Sequence, residues 1–168
     1  MEDFLSKIKS QPDIKSLVDM LKGQGKKVVF TNGCFDILHH GHIHYLSEAR
    51  SFGQCLIVGL NSDRSVRHIK GKGRPLLPQR ARAELLAALC FVDGVVIFDQ
   101  DNPLTIIEYL MPHVLVKGAD WSEDEIVGAD IVKKAGGEVK RIPLVPGIST
   151  TEIIRRVTSL LGAYSNQE

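Results

Sequence analysis

Short apolar runs and mixed polar segments alternate along the whole chain. Five runs rich in β-branched residues predict strands, at residues 28–31, 56–60, 95–98, 114–116 and 139–142. The first three runs are almost entirely apolar, which is typical of strands that are covered on both faces. Segments with helical spacing or helix boundary signals lie at 43–52, 79–90, 103–110, 125–135 and 150–161. This order predicts an α/β fold, a doubly wound, Rossmann-like, parallel five-stranded sheet with helices on both faces.

The N-terminal segment stands outside this alternation. Residues 1–22 carry apolar side chains at helical intervals and predict an additional amphipathic helix, interrupted near Pro12. We therefore expect an N-terminal helical extension at 1–25, one α/β domain at 26–162 and a C-terminal tail at 163–168. A chain of 168 residues can bury a full core without disulfides or metals.

The amino-acid composition of the chain excludes several classes of protein. Hydrophobic residues are 43% and charged residues 24%, which excludes a disordered or low-complexity chain. The net charge is +1, so nothing global indicates nucleic acid or a membrane surface as a partner. No apolar run approaches the ~20 residues that span a bilayer, and the acidic N-terminus does not resemble a signal peptide. Three scattered cysteines fit reduced thiols, and we predict a cytoplasmic protein.

The segments after the strands are the candidates for function, because open parallel sheets bind ligands outside the carboxyl ends of their strands. The most informative of these segments is 31–42. Gly33 allows an unusual backbone or a close ligand, and Gly41 lies where a helix begins and exposes its first N–H groups. His39 and His42 are three residues apart and share a face of that helix start. Two imidazoles beside helix N–H donors predict an anion site, with phosphate as the expected ligand.

The same histidine cluster has two other interpretations. His40 and His44 are expected to be solvated. A zinc or nickel site remains an alternative, although His39 and His42 lack the spacing of a helical metal pair and only Asp36 is a nearby acidic ligand.

Three further loops carry polar chemistry. The basic run Lys70-Gly71-Lys72-Gly73-Arg74 is either a solvated loop or a flexible cover for a phosphate. The end of the fourth predicted strand, Lys117-Gly118-Ala119-Asp120, is either a charged turn or a wall beside a base or sugar. Ser149 and Glu152 have the spacing of a helix capping box, which leaves the consecutive hydroxyls of Ser149, Thr150 and Thr151 to be explained.

The stretch Gly33-Cys34-Phe35-Asp36-Ile37-Leu38-His39-His40-Gly41-His42 resembles the G-x-F-D-x-x-H-x-G-H signature of the cytidylyltransferase-like nucleotidyltransferases. Ile148-Ser149-Thr150-Thr151 resembles the second signature of that family, and Arg82 resembles its helix-borne arginine. The resemblance implies transfer of a nucleoside monophosphate from a nucleoside triphosphate to a phosphorylated acceptor, with release of pyrophosphate.

The resemblance also implies roles for individual residues. The implied catalytic residues are His39, His42 and Lys72. The implied nucleotide-binding residues are Thr31, Asn32, Gly33, Cys34, Phe35, Gly41, Lys117, Gly118, Asp120, Ser149, Thr150 and Thr151, with Arg155 as a further support for the phosphates. The implied acceptor-binding residues are Asp36, Asn61, Lys70 and Arg74. Mg²⁺ is the implied cofactor, held by substrate oxygens and water rather than by protein side chains.

Across residues 27–156 the order of motifs is most similar to that of the heptose 1-phosphate adenylyltransferases. This similarity implies ATP and a sugar 1-phosphate as substrates. CTP with glycerol 3-phosphate or a related small phosphate remains the alternative. A metal-dependent hydrolase, a nucleotide-binding module without turnover and a homodimer also stay open.

Overall fold

The apolar runs form the centre of a wholly parallel sheet in the computed structural model, which describes residues 3–165. Its strands are β1 (Ile8–Lys9), β2 (Val28–Gly33), β3 (Cys55–Asn61), β4 (Gly94–Phe98), β5 (Val114–Gly118) and β6 (Glu138–Ile142). They lie in the order β1-β4-β3-β2-β5-β6. The predicted α/β class and parallel sheet are confirmed.

The prediction of five strands is wrong, because the N-terminal segment supplies a sixth. β1 pairs with β4, with Ile8 opposite Val95 and Lys9 opposite Val96. A 3₁₀ turn, Phe4–Lys7, precedes β1, and the helix α1 spans Gln11–Gly23 with Pro12 in its first turn, where a missing N–H costs nothing. A strand of two residues has too few positions to show a period. Residues 1 and 2 of the predicted extension lie outside the described residues.

Six more helices connect and flank the strands. They are α2 (His40–Ser51), α3 (Asp63–Lys70), α4 (Gln79–Ala87), α5 (Leu104–Leu110), α6 (Ala129–Lys134) and α7 (Thr150–Ser165). The segment 61–77, for which no helix is predicted above, contains α3, whose N-terminus is capped by the Ser62 hydroxyl accepting from the Ser65 amide at 3.1 Å. Half of the expected tail at 163–168 continues α7 as far as Ser165, and 166–168 lie outside the described residues.

The two faces of the sheet bury separate apolar layers, and neighbouring residues of one strand go to opposite layers. Phe30 packs with α1, α5 and α6 on one face, and Val29 packs with α2 and α4 on the other. Helix α1 contributes Ile14, Val18 and Leu21 to the first layer, so the N-terminal segment shares the core of the sheet.

The chain reverses its direction of winding at β2. From β2 the sheet grows through β3 and β4 to one side, and β5 and β6 are added on the other side. The connections after β2 and β5 therefore diverge and leave a crevice at the carboxyl ends of these strands. No helix within residues 3–165 is long and apolar enough to cross a membrane.

Arg82, on α4, ties the loops around this crevice together. Its guanidinium is fully buried, and it donates to the carbonyl oxygens of Cys34 at 2.6 Å, Asn61 at 2.9 Å and Leu77 at 3.0 Å. It also forms an ion pair with Asp63 at 2.7 Å. One cation thus fixes the segments that follow β2 and β3.

Replacing Arg82 by methionine should destabilise the fold by about 3 kcal/mol or more, because three carbonyl groups and a carboxylate lose a buried partner. Urea denaturation measures this change. The control is Arg80→Met, which removes an exposed ion pair with Glu84 from the same helix and should cost less than about 1 kcal/mol. Equal losses in the two variants would contradict the role given to Arg82.

Candidate active site

A cavity of about 510 Å³ opens at the carboxyl ends of β2 and β5. All but three of the residues singled out in the sequence as catalytic, nucleotide-binding or acceptor-binding line it. Those lining residues are Asn32, Gly33, Cys34, Phe35, Asp36, His39, Gly41, His42, Asn61, Lys70, Arg74, Lys117, Gly118, Asp120, Ser149, Thr150 and Thr151. The loops after four different strands therefore reach one cavity.

Lys72 and Thr31 are two of the three residues that do not line it, and Arg155, described below, is the third. Lys72 is exposed in the turn between Gly71 and Gly73, whose φ angles are 88° and 84°. Thr31 is fully buried, and its hydroxyl lies 3.0 Å from the Val116 carbonyl oxygen and 2.7 Å from the Tyr45 hydroxyl. The structure therefore gives Thr31 a place in the core and leaves Lys72 in solvent.

The histidine turn, residues 39–44, is compact because Gly41 has no side chain. The rings of His39 and His42 stack, with centroids 3.8 Å apart and planes 19° from parallel. A Cβ on Gly41 would lie 3.1 Å from the His39 ring and 3.2 Å from the Ile148 side chain. Gly41 thus lets the start of α2 pack against the segment that leads into α7.

Burial sets the charge of these imidazoles. Desolvation, followed by the neighbouring His39, lowers the pKa of His42 to about 4, against a small opposing effect of Asp36. Burial and the charge of His40 also lower the pKa of His39. The Nδ1 atoms of both rings are buried and have no hydrogen-bond partner among the described residues. An unpaired lone pair is less costly than an unpaired N–H, so the neutral rings should carry their proton on Nε2.

The other histidines of the turn point to solvent. His40 and His44 are exposed, and their rings meet edge to face with centroids 4.4 Å apart. Within residues 3–165, no group of three His, Cys, Asp or Glu side chains is arranged to hold a metal ion. His39 and His42, in contrast to His40 and His44, line the cavity.

The hydroxyl groups at the start of α7 make different contacts. The Ser149 hydroxyl accepts from the Glu152 amide at 3.1 Å, which confirms the helix cap. The Thr150 hydroxyl donates its proton to the Asp36 carbonyl at 2.6 Å, so it is already engaged within the protein. Arg155 is exposed, pairs with Glu152 at 2.8 Å and does not line the cavity.

Asp36 holds the basic loop, residues 70–77, in place. Its carboxylate accepts from Arg74 Nε at 2.8 Å and from the amides of Leu76 at 2.8 Å and Leu77 at 3.0 Å. Burial by itself would raise the pKa of Asp36, but these three hydrogen bonds and the charge of Arg74 outweigh it and keep the pKa below its usual value.

Lys117 provides a cation at the end of β5. Its half-buried ammonium group donates to the side-chain oxygen of Asn32, at the end of the neighbouring strand β2. Burial lowers the pKa of Lys117 to about 8, although Asp120 and Cys34 partly oppose the shift. The group is therefore charged at neutral pH, at the junction of the two strands.

Several residues that the sequence did not single out also line the cavity. Tyr45, Trp121, Ile126 and Asp101-Asn102-Pro103 form parts of its wall. Asp101, Asn102 and Trp121 carried an advance signal, since they lie in the segments 99–102 and 117–124 that follow predicted strands. Tyr45, Ile126 and Pro103 carried none, and only tertiary packing brings them to the site.

Comparisons with known proteins agree with this geometry. A family model described as Cytidylyltransferase-like matches residues 30–156. The chain is 50% identical over 157 residues to the bifunctional protein HldE of Geobacter sulfurreducens, covering 94% of this chain and 32% of that protein. It is 52% identical over 155 residues to HldE of Geotalea uraniireducens, covering 92% of this chain and 32% of that protein. The chain thus spans about a third of the length of these relatives.

Solved structures show the same fold. The lipopolysaccharide core biosynthesis protein from Thermoplasma volcanium superposes with a TM-score of 0.59 at 28% identity, over 71% of this chain and 97% of that chain. Pantoate-beta-alanine ligase from Francisella tularensis superposes with a TM-score of 0.57 at 15% identity, over 87% of this chain and 74% of that chain, which shows a shared fold alone. The family match covers the sheet from β2 to β6, the histidine turn and the first turns of α7. The chain therefore belongs to the cytidylyltransferase-like family and is a nucleotidyltransferase.

Proposed function

We propose that this protein transfers AMP from ATP to D-glycero-β-D-manno-heptose 1-phosphate and releases pyrophosphate, as a step that supplies the lipopolysaccharide core. Two comparisons support this choice of pathway. The relatives named HldE are about 50% identical to this chain, and a solved neighbour is a lipopolysaccharide core biosynthesis protein. The order of motifs along the chain supports the sugar 1-phosphate as acceptor. The proposed location is the cytoplasm, and a homodimer remains a prediction.

One observation carries the proposal. The stacked imidazoles of His39 and His42 and the hydroxyls of Ser149 and Thr151 line the same cavity, each beside the first turn of a helix. The first amides of a helix have no intrahelical acceptor, and the helix dipole favours an anion there. Two helix starts and two neutral donors that face one cavity suit a triphosphate.

The proposed reaction needs no general base in the protein. The acceptor phosphate is already ionised near neutral pH, so its oxygen attacks the α-phosphorus directly, in line with the departing pyrophosphate. The Nε2–H groups of His39 and His42 would donate to oxygens of the α-phosphate and of the bridge as charge accumulates there. Ser149, Thr151 and the amides at the start of α7 would hold the leaving pyrophosphate.

Two lysines line the cavity and remain available to the substrates. Lys70 lies at the end of α3 and Lys117 near the end of β5. We assign Lys117 to the nucleotide and Lys70 to the acceptor. Lys72 is exposed outside the cavity and would take part only if its glycine-flanked turn moved inward.

The residues present do not build a metal site of their own. No suitable group of three ligands exists within the described part of the chain, and the Asp36 carboxylate is occupied by three donors. Mg²⁺ would therefore be held largely by phosphate oxygens and water, where it neutralises charge on the triphosphate. Asp120 is an exposed carboxylate at the rim and is assigned to hydroxyl groups of the nucleotide.

The test is pyrophosphate release from ATP or CTP with the heptose 1-phosphate or glycerol 3-phosphate as acceptor. We expect turnover with ATP and the sugar phosphate, and we expect His42→Ala to reduce kcat by about 10²–10³ because a preorganised donor to the transition state is lost. His44→Ala, on the exposed face of the same helix, should leave kcat unchanged.

Preference for CTP with glycerol 3-phosphate would replace the proposed substrates. Release of inorganic phosphate from other esters, with dependence on added zinc, would indicate a hydrolase. Nucleotide binding without turnover would indicate a binding module. Wild-type turnover in His42→Ala would remove the role given to His42.

Lys117 should impose an alkaline limit on the use of ATP. Its pKa of about 8 means that the ammonium is charged below that pH and neutral above it, so attraction for the triphosphate decreases as pH rises through 8. The kcat/KM for ATP should therefore fall above about pH 8, since kcat/KM reports the titration of the free enzyme. In Lys117→Met the value should be low at every pH, and the alkaline decrease should be absent. A decrease that persists in this variant must come from another group.

A further inference from the structure

The carboxylate of Asp36 is buried and already engaged by donors within the protein. The side chain is fully buried, and its two oxygens accept three hydrogen bonds from Arg74, Leu76 and Leu77. A negative charge in this place would also repel a phosphorylated acceptor. If Asp36 takes part in acceptor binding, as the sequence predicts, it must therefore act through another residue.

The backbone around Asp36 is strained on both sides. Phe35 and Ile37 have φ angles of 43° and 51°, in the left-handed region that residues with a side chain rarely adopt. Such conformations persist where the surroundings fix them, and they concentrate at functional sites. Here the two unusual residues direct the Asp36 side chain to the basic loop and its carbonyl group to Thr150.

Asp36 thereby connects three segments of the site. The histidine turn follows three residues later in the chain, the basic loop is held through the carboxylate, and the start of α7 is held through the bond from Thr150 at 2.6 Å. These segments are far apart in sequence, and each lines the cavity.

Arg74 is the member of the basic loop that Asp36 orients. Its Nε atom donates to Asp36 at 2.8 Å, and its side chain is 17% exposed. Among the described residues, no hydrogen bond engages the terminal nitrogens of Arg74, which lines the cavity beside Lys70. A guanidinium held through Nε keeps its outer N–H groups free for a phosphate.

We propose that Asp36 is a positioning residue that aims the outer nitrogens of Arg74 at the phosphate of the acceptor and does not itself contact substrate. This inference rests on the proposed function. Thr150 belongs to the same arrangement, because its hydroxyl proton is used on Asp36 and the phosphate donors of that turn are Ser149 and Thr151.

The kinetic test combines Asp36→Asn and Arg74→Gln with the double variant. Each single variant should raise the KM for the acceptor about tenfold or more and change the KM for ATP less than about threefold, because a misdirected phosphate ligand weakens acceptor binding. The double variant should be no worse than Arg74→Gln alone, since Asp36 acts through Arg74. Asp19→Asn, which removes the exposed pair with Lys15 on α1, outside the cavity, is the control and should match the wild type.

Additive losses in the double variant would overturn the proposal and would indicate that Asp36 contacts the acceptor directly. An acceptor KM in Asp36→Asn equal to that of the wild type would overturn it as well. So would equal increases in both KM values, since these would indicate a general loss of structure.

Hydrogen exchange provides a readout that does not depend on activity. The amides of Leu76 and Leu77 should exchange at least about tenfold faster in Asp36→Asn, and the amide of Val66 in α3 should not change. Unchanged exchange at Leu76 and Leu77 would contradict the role of Asp36 as the holder of the loop. If the wild type transfers no nucleotide, the proposed function is wrong, and the exchange data still decide whether Asp36 holds the loop.

Discussion

The strained turn after β2 is the constraint on which the site depends. Within a few residues the chain leaves the central strand, passes through two left-handed conformations and enters α2 at the stacked histidines. Hydrogen bonds from Arg82 and Thr150 to its carbonyl groups, and from the basic loop to Asp36, hold this path. The groups that face the cavity are therefore fixed by contacts within the protein, before any ligand binds.

In this arrangement few charged side chains are free to bind the ligand. Arg82 is buried among carbonyl groups, Arg155 is paired with Glu152, and the Nε of Arg74 is bound to Asp36. The candidate donors that remain are neutral imidazoles, hydroxyls and helix amides, together with Lys70, Lys117 and the outer nitrogens of Arg74. Oriented dipoles in a partly enclosed site stabilise an anion without reorganising, which agrees with a net charge of only +1 for the whole chain.

Much of the fold and of the site was predictable from the sequence because the signals are local. Five strands are short runs rich in β-branched residues, and the rule that ligands bind at the carboxyl ends of parallel strands directed attention to the loops that line the cavity. The strand at Ile8–Lys9 and the helix α3 were missed, the first because two residues show no period and the second because its polar sequence looks like a loop. The engagement of Asp36 and Thr150 was missed for another reason. The sequence shows that a position holds an aspartate or a threonine, but it does not show whether that side chain binds the substrate or a neighbouring loop. Only the hydrogen-bond partners in the structure distinguish the two cases.

The central claim is that the two imidazoles and the start of α7 hold one triphosphate. A crystal structure with a non-hydrolysable ATP analogue tests it most directly. The account predicts that the phosphate chain lies within hydrogen-bond distance of His42 Nε2 on one side and of Ser149 or Thr151 on the other. Phosphates that contact only one of these two groups, or an analogue bound outside the cavity, would contradict it.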